Sequence, residues 1–246
     1  LWRMSDSPSP RRRALRRVAL LLLLAAVAYL GQALVRHPDT PLPDEWNLWE
    51  PLRIADPVTP VTGFKLRRAL DTPGMCVEIL QDGGAAIDPM PDLDQSETCG
   101  IRDRVALRGF KDLRLSPVET ACPTALRLAL WVAHGIQPAA RDAFGQEVAR
   151  LHHFSSYNCR EIRTPDGGGG RMSSHATASA IDISGVTLAD GRRIDLLDGW
   201  DGPDGDFLRR IRDAACTWFG TTLGPEYNAL HRDHFHLQDR GYGTCR

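Results

Sequence analysis

The longest apolar run in the chain covers residues 18–35 and contains no charged side chain. A helix rises about 1.5 Å per residue, so a run of this length just crosses a hydrocarbon core of about 30 Å. Five arginines lie between residues 11 and 17, a bias that is typical of a cytoplasmic N-terminus. We therefore predict a basic cytoplasmic tail at 1–17 and a single-pass inner-membrane anchor at 18–35, with the remaining chain in the periplasm.

A cleaved signal peptide is the main alternative for the same run. The apolar part of a signal peptide is usually shorter, at about 7–15 residues, and no clear small-residue cleavage pattern follows residue 35. A buried helix of a soluble protein is the third interpretation. The anchor and the signal peptide both export the rest of the chain, so the two leading interpretations agree on its compartment.

After the apolar run, the pattern is first proline-rich and then strand-like. Residues 36–60 contain six prolines and two tryptophans, which predicts an extended tether, and we continue this tether to residue 73. Short apolar runs at Cys76–Leu80 and Val105–Leu107 are typical of strands, and a turn-rich segment separates them. We interpret residues 74–118 as a small β-rich lobe.

Helix-like and strand-like patterns follow one another in the rest of the chain. Apolar residues at helical spacing predict helices, and alternating residues predict strands. The predicted elements are helices at about residues 121–135, 138–144 and 205–219, a strand at Val148–Phe154, and a flexible loop at Thr164–Met172. Strands and helices in mixed order predict the α+β class.

The distribution of charge limits the kind of partner. Residues 1–35 hold six arginines and one acidic residue, so the rest of the chain holds 24 basic and 30 acidic residues. Its net charge of −6 repels a phosphate backbone, and we expect no nucleic-acid partner.

All six cysteines lie after the apolar run, where an oxidising compartment favours disulfides. They do not show the C-x-x-C spacing of a structural zinc site. Six cysteines allow 15 pairings. The pairs that we predict are Cys76–Cys99, Cys122–Cys159 and Cys216–Cys245.

Three of the eight histidines lie within six residues of one another, at His231, His234 and His236. The stretch HFHL alternates polar and apolar residues, and on a strand His234 and His236 point to the same face. Asp182 lies in a second strand-like run, IDI, seven residues after His175. Two neighbouring antiparallel strands can bring an aspartate and a histidine to one ion, with His175 arriving from the preceding loop.

Two imidazoles and one carboxylate form a ligand set that suits Zn²⁺. A catalytic zinc keeps three protein ligands, leaves a fourth position for water and lowers the pKa of that water to about 7. These properties suit hydrolysis of an amide bond. Taken singly, the same residues have simpler explanations: a polar loop residue for His175, a turn or capping carboxylate for Asp182, and a solvated segment for the three histidines.

Two short stretches resemble signatures of zinc peptidases. SSHATASAID resembles the first signature, S-x-H-x-x-G-x-A-x-D, of the zinc D-Ala-D-Ala carboxypeptidases and dipeptidases. The matching residues are Ser173, His175, Ala180 and Asp182. Ala178 replaces the usual glycine, and we expect its methyl group to narrow the site. DHFH at residues 233–236 resembles their second signature, an acid, any residue, Trp and His, and the H-x-H element of the penicillin-insensitive murein endopeptidases.

Over a longer span, about residues 40–246, the chain resembles the bacterial extensin-like C-terminal family. The stretches CPTALRLALW, FSSYNCR, SSHATASAIDI and YNALHRDHFHL carry this likeness. The family resemblance implies little about activity. The peptidase resemblance implies an α+β core at residues 119–246, with a small central antiparallel sheet and flanking helices.

The peptidase resemblance also implies roles for the site residues. The implied zinc ligands are His175, Asp182 and His236. Asp233 lies where these peptidases place their catalytic glutamate, and His231 or His234 is the alternative residue for proton transfer. Arg160 resembles an arginine that precedes the first signature, where it would bind the developing oxyanion or a substrate carboxylate.

We therefore expect a membrane-anchored, zinc-dependent hydrolase of peptidoglycan peptides, acting as an endopeptidase or a carboxypeptidase. An anchored domain reaches the amide cross-links that are abundant near the membrane. One alternative is a non-catalytic wall-binding or envelope-assembly protein, in which His234 closes a structural zinc site as fourth ligand. Another is a zinc hydrolase of other peptides or small amides.

Overall fold

A mixed sheet of nine strands forms the centre of the computed structural model, which describes residues 10–37, 39–164 and 167–246. The strands, in chain order, are β1 Ala85–Pro89, β2 Leu93–Asp94, β3 Gly100–Ile101, β4 Arg104–Phe110, β5 Leu113–Ala121, β6 Val148–His153, β7 Glu161–Thr164, β8 Gly167–Met172, β9 Ala180–Leu188, β10 Arg193–Asp195, β11 Thr221–Leu223, β12 Phe235–Gln238 and β13 Thr244–Cys245. β2 pairs with β3, and β7 with β8, in two separate small sheets.

Helices lie at the N-terminus and between the strands. They are α1 Pro10–Val35, α2 Thr62–Asp71, α3 Met75–Asp82, α4 Cys122–Trp131, α5 Gln137–Phe144, α6 Leu196–Gly199 and α7 Gly205–Trp218. A π-helical segment, Val132–Ile136, joins α4 to α5 without a break. The helices predicted from the sequence after residue 120 correspond to α4, α5 and α7, and the strand predicted at Val148–Phe154 corresponds to β6.

The strand order of the main sheet is β1–β4–β5–β6–β9–β12–β11–β13, and β10 pairs with β9. Most neighbours are antiparallel, but β5 with β6 and β11 with β13 are parallel. The prediction of a small antiparallel sheet is therefore wrong for the sheet as a whole. The physical reason is the long helical connection through α4 and α5, which carries the chain back so that β6 starts at the same end as β5.

Aromatic side chains fill the space between the helices and the sheet. Trp131 of α4 is fully buried and makes edge contacts with Phe219 and with Phe235 of β12, each with ring centroids 6.4 Å apart. The Trp131 indole N–H donates to the carbonyl oxygen of Ile211 at 2.8 Å. Because Phe235 precedes His236, this packing fixes the strand that carries a predicted zinc ligand.

Part of the segment predicted to be a tether is folded into the core. Leu52, Ile54 and Leu66 are buried in the same apolar cluster as α4 and the sheet, and residues 62–71 form α2. Strands β1 and β4, from the predicted β-rich lobe, belong to the same sheet as the C-terminal strands. The domain therefore has one continuous core in place of a tether, a lobe and a separate C-terminal unit.

Two local predictions are wrong. The run Cys76–Leu80 is helical and lies in α3, where Cys76, Ile79 and Leu80 are buried at the spacing of one helix face. The segment Thr164–Met172, predicted to be a flexible loop, contributes to the β7–β8 hairpin. Residues 165–166 of that segment lie outside the described residues.

Within the described part of the chain, α1 is the one helix that is long and apolar enough to cross a membrane. Its qualifying portion is Arg11–Val35, and none of the apolar window is buried against the protein. A signal sequence near the N-terminus has the same properties. The helix is longer than the predicted span, since it includes the five arginines between residues 11 and 17, and residues 1–9 of the predicted tail lie outside the described residues.

Three disulfides connect distant parts of the fold. They are Cys76–Cys122, Cys99–Cys159 and Cys216–Cys245. The third pair was predicted from the sequence, and the other two predicted pairs are wrong. The reason is the packing of α3 against α4, which brings Cys76 next to Cys122 and leaves Cys99 close to Cys159.

We expect the Cys99→Ala/Cys159→Ala double variant to lose roughly 2–4 kcal/mol of free energy of unfolding, because this disulfide closes a separation of 60 residues in the unfolded chain. Urea denaturation followed by circular dichroism measures the loss.

The disulfide pairing has a separate test. Mass spectrometry of non-reduced peptides should show a peptide that links Cys76 to Cys122, and a peptide that links Cys76 to Cys99 would contradict the pairing.

Asp239, just after β12, is a buried carboxylate that is incompletely paired. The residue is 8% exposed, and its Oδ1 has no hydrogen-bond partner within the described residues. The guanidinium Nε of Arg240 lies 3.7 Å from Oδ1. Burial raises the pKa of Asp239 to about 6, although the positive charges of Arg240 and Arg127 oppose the increase.

The carboxyl group of Asp239 therefore binds a proton more tightly in the folded protein than in the unfolded chain, where the pKa of an aspartate is about 3.9. The resulting stabilisation is fully present below about pH 4 and is lost as the pH rises through about 6. We expect Asp239→Asn, which has no charge to bury, to be more stable than wild type by roughly 2–3 kcal/mol at pH 8 and equally stable at pH 4. Urea denaturation at both pH values checks this, and equal stability at pH 8 would contradict it.

Candidate metal centre

A short turn after the β7–β8 hairpin presents His175. The Ser173 hydroxyl accepts a hydrogen bond from the His175 backbone N–H at 3.3 Å and begins the 3-10 turn Ser174–Thr177. The turn ends at Ala178, whose φ of 49° lies in the left-handed region that glycine adopts most easily. The glycine of the peptidase signature therefore falls where the backbone itself favours glycine.

The methyl group of Ala178 packs away from the site, in a small apolar cluster with Ile101 and Ala121. The Ala178 carbonyl oxygen accepts a hydrogen bond from the Thr124 hydroxyl at 2.9 Å. Ala178 is not among the described residues that line the cleft. The expectation that this methyl group narrows the site is therefore wrong.

The other two predicted ligands face each other across neighbouring strands. Asp182 on β9 is the antiparallel partner of His236 on β12. Directly paired residues place their side chains on the same face of a sheet. Both side chains are mostly buried, with 12% of Asp182 and 11% of His236 exposed. Sheet register alone therefore brings these two groups together.

Three ligand atoms converge at this point. The Nδ1 of His236 lies 2.8 Å from Oδ1 of Asp182 and 3.1 Å from Nε2 of His175, and these last two atoms are 3.2 Å apart. A tetrahedral ion with bonds of about 2.0–2.1 Å separates its ligand atoms by about 3.3 Å. The observed separations lie within about 0.5 Å of that value. The group therefore has the dimensions of a zinc site, and its ligand types suit zinc.

The protonation of His175 also suits a cation. Its Nδ1 lies 2.7 Å from the carbonyl oxygen of Ser156. A carbonyl oxygen accepts only, so Nδ1 carries the proton of the neutral ring and Nε2 presents a lone pair to Asp182. A ring nitrogen and a carboxylate oxygen, both acceptors, then face one another in a buried place. A bound cation satisfies both of them.

The charge of Asp182 is strongly favoured. Burial by itself raises the pKa of this carboxyl group, but the neighbouring rings of His175 and His236 outweigh burial and hold the pKa well below its usual range. Burial lowers the pKa of His236, which favours the neutral ring that a metal ligand requires. The site therefore combines a charged carboxylate with an imidazole, that of His236, whose neutral form is favoured.

His234 and Asp233 form a second pair beside the three ligands. The Nδ1–H of His234 donates to Oδ1 of Asp233 at 2.8 Å, and Nε2 of His234 lies 3.6 Å from Oδ1 of Asp182. Strand β12 begins only at Phe235, so Asp233 is in the preceding turn and is not constrained to alternate with His236. His234 therefore faces the metal position, and Asp233 orients its ring.

His231 lies next to this pair. Its Nδ1 is 2.8 Å from Oδ1 of Asn228, and its ring centroid is 5.2 Å from that of His234 and 5.8 Å from that of His236. Burial lowers the pKa of His231 to about 4, and the charges of His234 and His236 add to this effect. His231 is therefore neutral at neutral pH, and an edge contact with Tyr227 covers its ring.

A cleft of about 880 Å³ opens over the candidate ligands. Asp182 and His236 line it, whereas His175 is fully buried behind them. Three arginines on or beside the β7–β8 hairpin form part of its wall, namely Arg160, Arg163 and Arg171. Another part of the lining is apolar, with exposed Phe154, Tyr227 and Leu230.

Arg160, predicted from the peptidase signature, lines this cleft. Its guanidinium NH1 donates to the carbonyl oxygen of Glu161 at 3.1 Å. Burial lowers the pKa of Arg160, Arg163 adds to this decrease, and Asp182 opposes it. The guanidinium group is thus within the electrostatic range of Asp182, and no carboxylate of the described residues forms an ion pair with it.

Several residues around the site were not predicted from the sequence. Ser156 is fully buried and orients His175 through its carbonyl oxygen, while its hydroxyl group bonds to Thr120 at 2.7 Å and to the Ala180 carbonyl oxygen at 2.6 Å. The Ser174 hydroxyl lies 3.4 Å from Nε2 of His236. The sequence signal for Ser156 was weak, because a backbone carbonyl carries no side-chain signature.

Residues 74–246 match the family model described as Extensin-like protein C-terminus. This span is more than half of the chain, so the chain belongs to the extensin-like C-terminal family. The family resemblance seen in the sequence is therefore confirmed. No curated protein and no solved structure matches the chain.

We expect the purified chain to bind one Zn²⁺. Removal of a residue that only orients a metal ligand costs roughly 10–100-fold in metal affinity. We expect a larger loss of zinc affinity when a ligand itself is removed, in His175→Ala, Asp182→Ala and His236→Ala. Isothermal titration calorimetry at a fixed pH measures the affinity. The matched control is His152→Ala, since His152 bonds to Thr187 on the same sheet, away from the candidate ligands. Equal zinc affinity in wild type and Asp182→Ala would contradict the assignment.

Proposed function

We propose that this chain is a zinc-dependent hydrolase of peptidoglycan peptide bonds. The observation that carries the proposal is the convergence of Nε2 of His175, Oδ1 of Asp182 and Nδ1 of His236 at the wall of an open cleft. Two histidines and one carboxylate form a three-ligand set, which is the usual set of a catalytic zinc site. When bound there, zinc would polarise a carbonyl oxygen and lower the pKa of a water molecule to about 7.

His234 is the best-placed group for proton transfer. Its Nδ1–H is held by Asp233, so its Nε2 is free to accept a proton from an attacking water and to return it to the leaving amine. Asp233 acts through His234, in the way that a carboxylate orients a catalytic histidine. His231, neutral and adjacent to His234, is positioned to hydrogen-bond to the substrate or to relay the proton.

The arginines of the cleft point to a substrate that carries carboxylates. Arg160 is half-buried and has no carboxylate partner among the described residues, and the hairpin adds Arg163 and Arg171. Guanidinium groups bind carboxylates through paired hydrogen bonds. Stem peptides of peptidoglycan have free carboxylates close to their amide bonds, so they suit this wall of the cleft.

A location outside the cytoplasm would suit the same substrate. An anchor and a signal sequence at α1 would each export the rest of the chain from the cytoplasm. Three disulfides agree with an oxidising compartment. In a periplasmic setting, the peptide cross-links of the cell wall are abundant amide substrates.

A non-catalytic protein with a structural metal is the second candidate, and one observation favours it. Nε2 of His234 lies 3.6 Å from Oδ1 of Asp182, so a modest shift of the ring would make His234 a fourth ligand. A closed set of four protein ligands leaves no position for water. The two candidates therefore differ in the effect of His234 on zinc affinity and on turnover.

The test incubates the zinc-loaded full chain, in detergent, with peptidoglycan and with isolated muropeptides, and identifies products by mass spectrometry. We expect new peptide products from wild type and none from Asp182→Ala or His236→Ala. We expect His234→Ala to bind zinc normally but to lower kcat by roughly 10²–10⁴-fold, as loss of a proton-transfer group does.

The matched control is Asp142→Asn, because Asp142 is exposed and pairs with Arg210 far from the cleft. Its activity should equal that of wild type. Loss of zinc from His234→Ala together with absence of products from wild type would favour the structural-metal candidate and overturn the hydrolase.

We expect Arg160→Gln to raise KM for muropeptides with a free terminal carboxylate by roughly 10-fold or more, the size expected for loss of one charge-assisted hydrogen bond. The KM for the same peptides with an amidated terminus should change little. Paired kinetic measurements on the two peptide series check this, and an equal increase in KM for both series would contradict a carboxylate-binding role.

A further inference from the structure

The C-terminal end of α1 is hydrogen-bonded to the folded domain. Asn47 is 1% exposed, and its side-chain N–H donates to the carbonyl oxygen of Val35, the last residue of α1, at 3.0 Å. The side-chain oxygen of Asn47 accepts from the backbone N–H of Trp49 at 3.0 Å. Both polar ends of this buried amide are therefore used, one to cap the helix and one to shape the loop that follows.

The same loop is held from the other side by α2. The ammonium group of Lys65, which is 2% exposed, donates to the carbonyl oxygen of Asp44 at 2.5 Å. The guanidinium group of Arg68 donates to three successive backbone carbonyl groups, those of Leu48, Trp49 and Glu50. Because α2 packs into the core, the loop is fixed between α1 and the domain.

This loop, residues 44–50, exposes a group of large apolar side chains. Trp46 is 48% exposed, Leu48 is 40% exposed and Trp49 is 50% exposed. The guanidinium group of Arg36, the first residue after α1, lies 4.1 Å from the ring centroid of Trp49. Tryptophans with a neighbouring arginine are typical of the zone where a membrane helix leaves the hydrocarbon core.

We propose that residues 44–50 form an interfacial loop, in which Trp46, Leu48 and Trp49 insert among the lipid headgroups beside α1. If α1 crosses a bilayer, Val35 lies at the membrane surface, and a loop bonded directly to Val35 lies at the same depth. The partner is therefore the lipid surface. This inference rests on retention of α1 as an anchor and does not depend on the proposed hydrolase activity.

The charge of this region indicates which lipid headgroups the loop needs for insertion. Between residues 36 and 53 there are two arginines and four acidic residues, and Arg53 is paired with Asp44. Anionic headgroups would gain nothing from such a surface. Insertion is driven by burial of apolar area, so it occurs with neutral phosphatidylcholine and persists at high salt.

The interfacial loop has a consequence for the cleft. A flexible tether would let the domain sample many heights, whereas a loop bonded to both α1 and α2 fixes one orientation to the membrane. The cleft then reaches only material that lies within a narrow band above the bilayer. The interfacial loop thus sets the distance between the cleft and the bilayer.

Tryptophan fluorescence tests the interfacial loop. The full chain with Trp2→Phe is reconstituted in phosphatidylcholine vesicles that contain lipid brominated near the headgroup end of the acyl chain. It is compared with the same chain carrying Trp46→Phe and Trp49→Phe. We expect the bromine to quench the emission of Trp46 and Trp49. The variant that lacks Trp2, Trp46 and Trp49 should therefore lose most of the quenching. Aqueous iodide should quench the emission of Trp46 and Trp49 only weakly.

The matched control is Trp200→Phe in the Trp2→Phe background, because Trp200 is 5% exposed inside the domain. Brominated lipid should quench the emission of this control by the same amount as it quenches that of the Trp2→Phe chain. Strong quenching by iodide with none by brominated lipid would overturn the proposal. Mass spectrometry of chain isolated from membranes gives a second decision, since a mature chain that begins after residue 35 would also overturn it. Muropeptide hydrolysis, measured separately in detergent, distinguishes failure of this inference from failure of the proposed function.

Discussion

The buried carboxylate of Asp182, held between two imidazole rings, is the interaction on which the candidate site depends. A carboxylate in the protein interior costs several kcal/mol unless charges or hydrogen bonds compensate it. His236, whose Nδ1 lies 2.8 Å from Oδ1 of Asp182, supplies part of this compensation, and a bound cation would supply the rest. A slip of one residue between β9 and β12 would turn His236 to the opposite face, so the sheet register and the site require each other.

The rest of the fold restrains this arrangement. Phe235 packs against Trp131, which fixes the strand that carries His236. The Ser156 carbonyl oxygen fixes the tautomer of His175, and the Cys99–Cys159 disulfide restrains the segment that contains Ser156. The site is thus rigid on the side of its ligands. Its open side is different, with arginines on one part of the cleft wall and exposed aromatic side chains on another.

Both ends of the folded domain that follows α1 are held in place by long-range contacts. At the C-terminus, Cys216–Cys245 fastens β13 to α7. At the N-terminus, Asn47 caps α1, and α2 holds the loop that follows. The carbonyl groups of residues 44 and 48–50 accept hydrogen bonds from Lys65 and Arg68 of α2, which holds this loop against the domain. Composition alone predicts an extended tether there, since it does not include these cations.

The sequence by itself determined the features that depend on local order. The apolar run of α1, the helices α4, α5 and α7, and the alternation HFHL are all short-range patterns, and this alternation predicted the strand β12 that carries His236. Only the tertiary structure decided which cysteines pair, that Cys76–Leu80 is helical, and that Asp233 orients His234. These three features depend on contacts between residues far apart in the chain or on the residue at which a strand begins. A local sequence pattern does not encode such contacts or such a boundary.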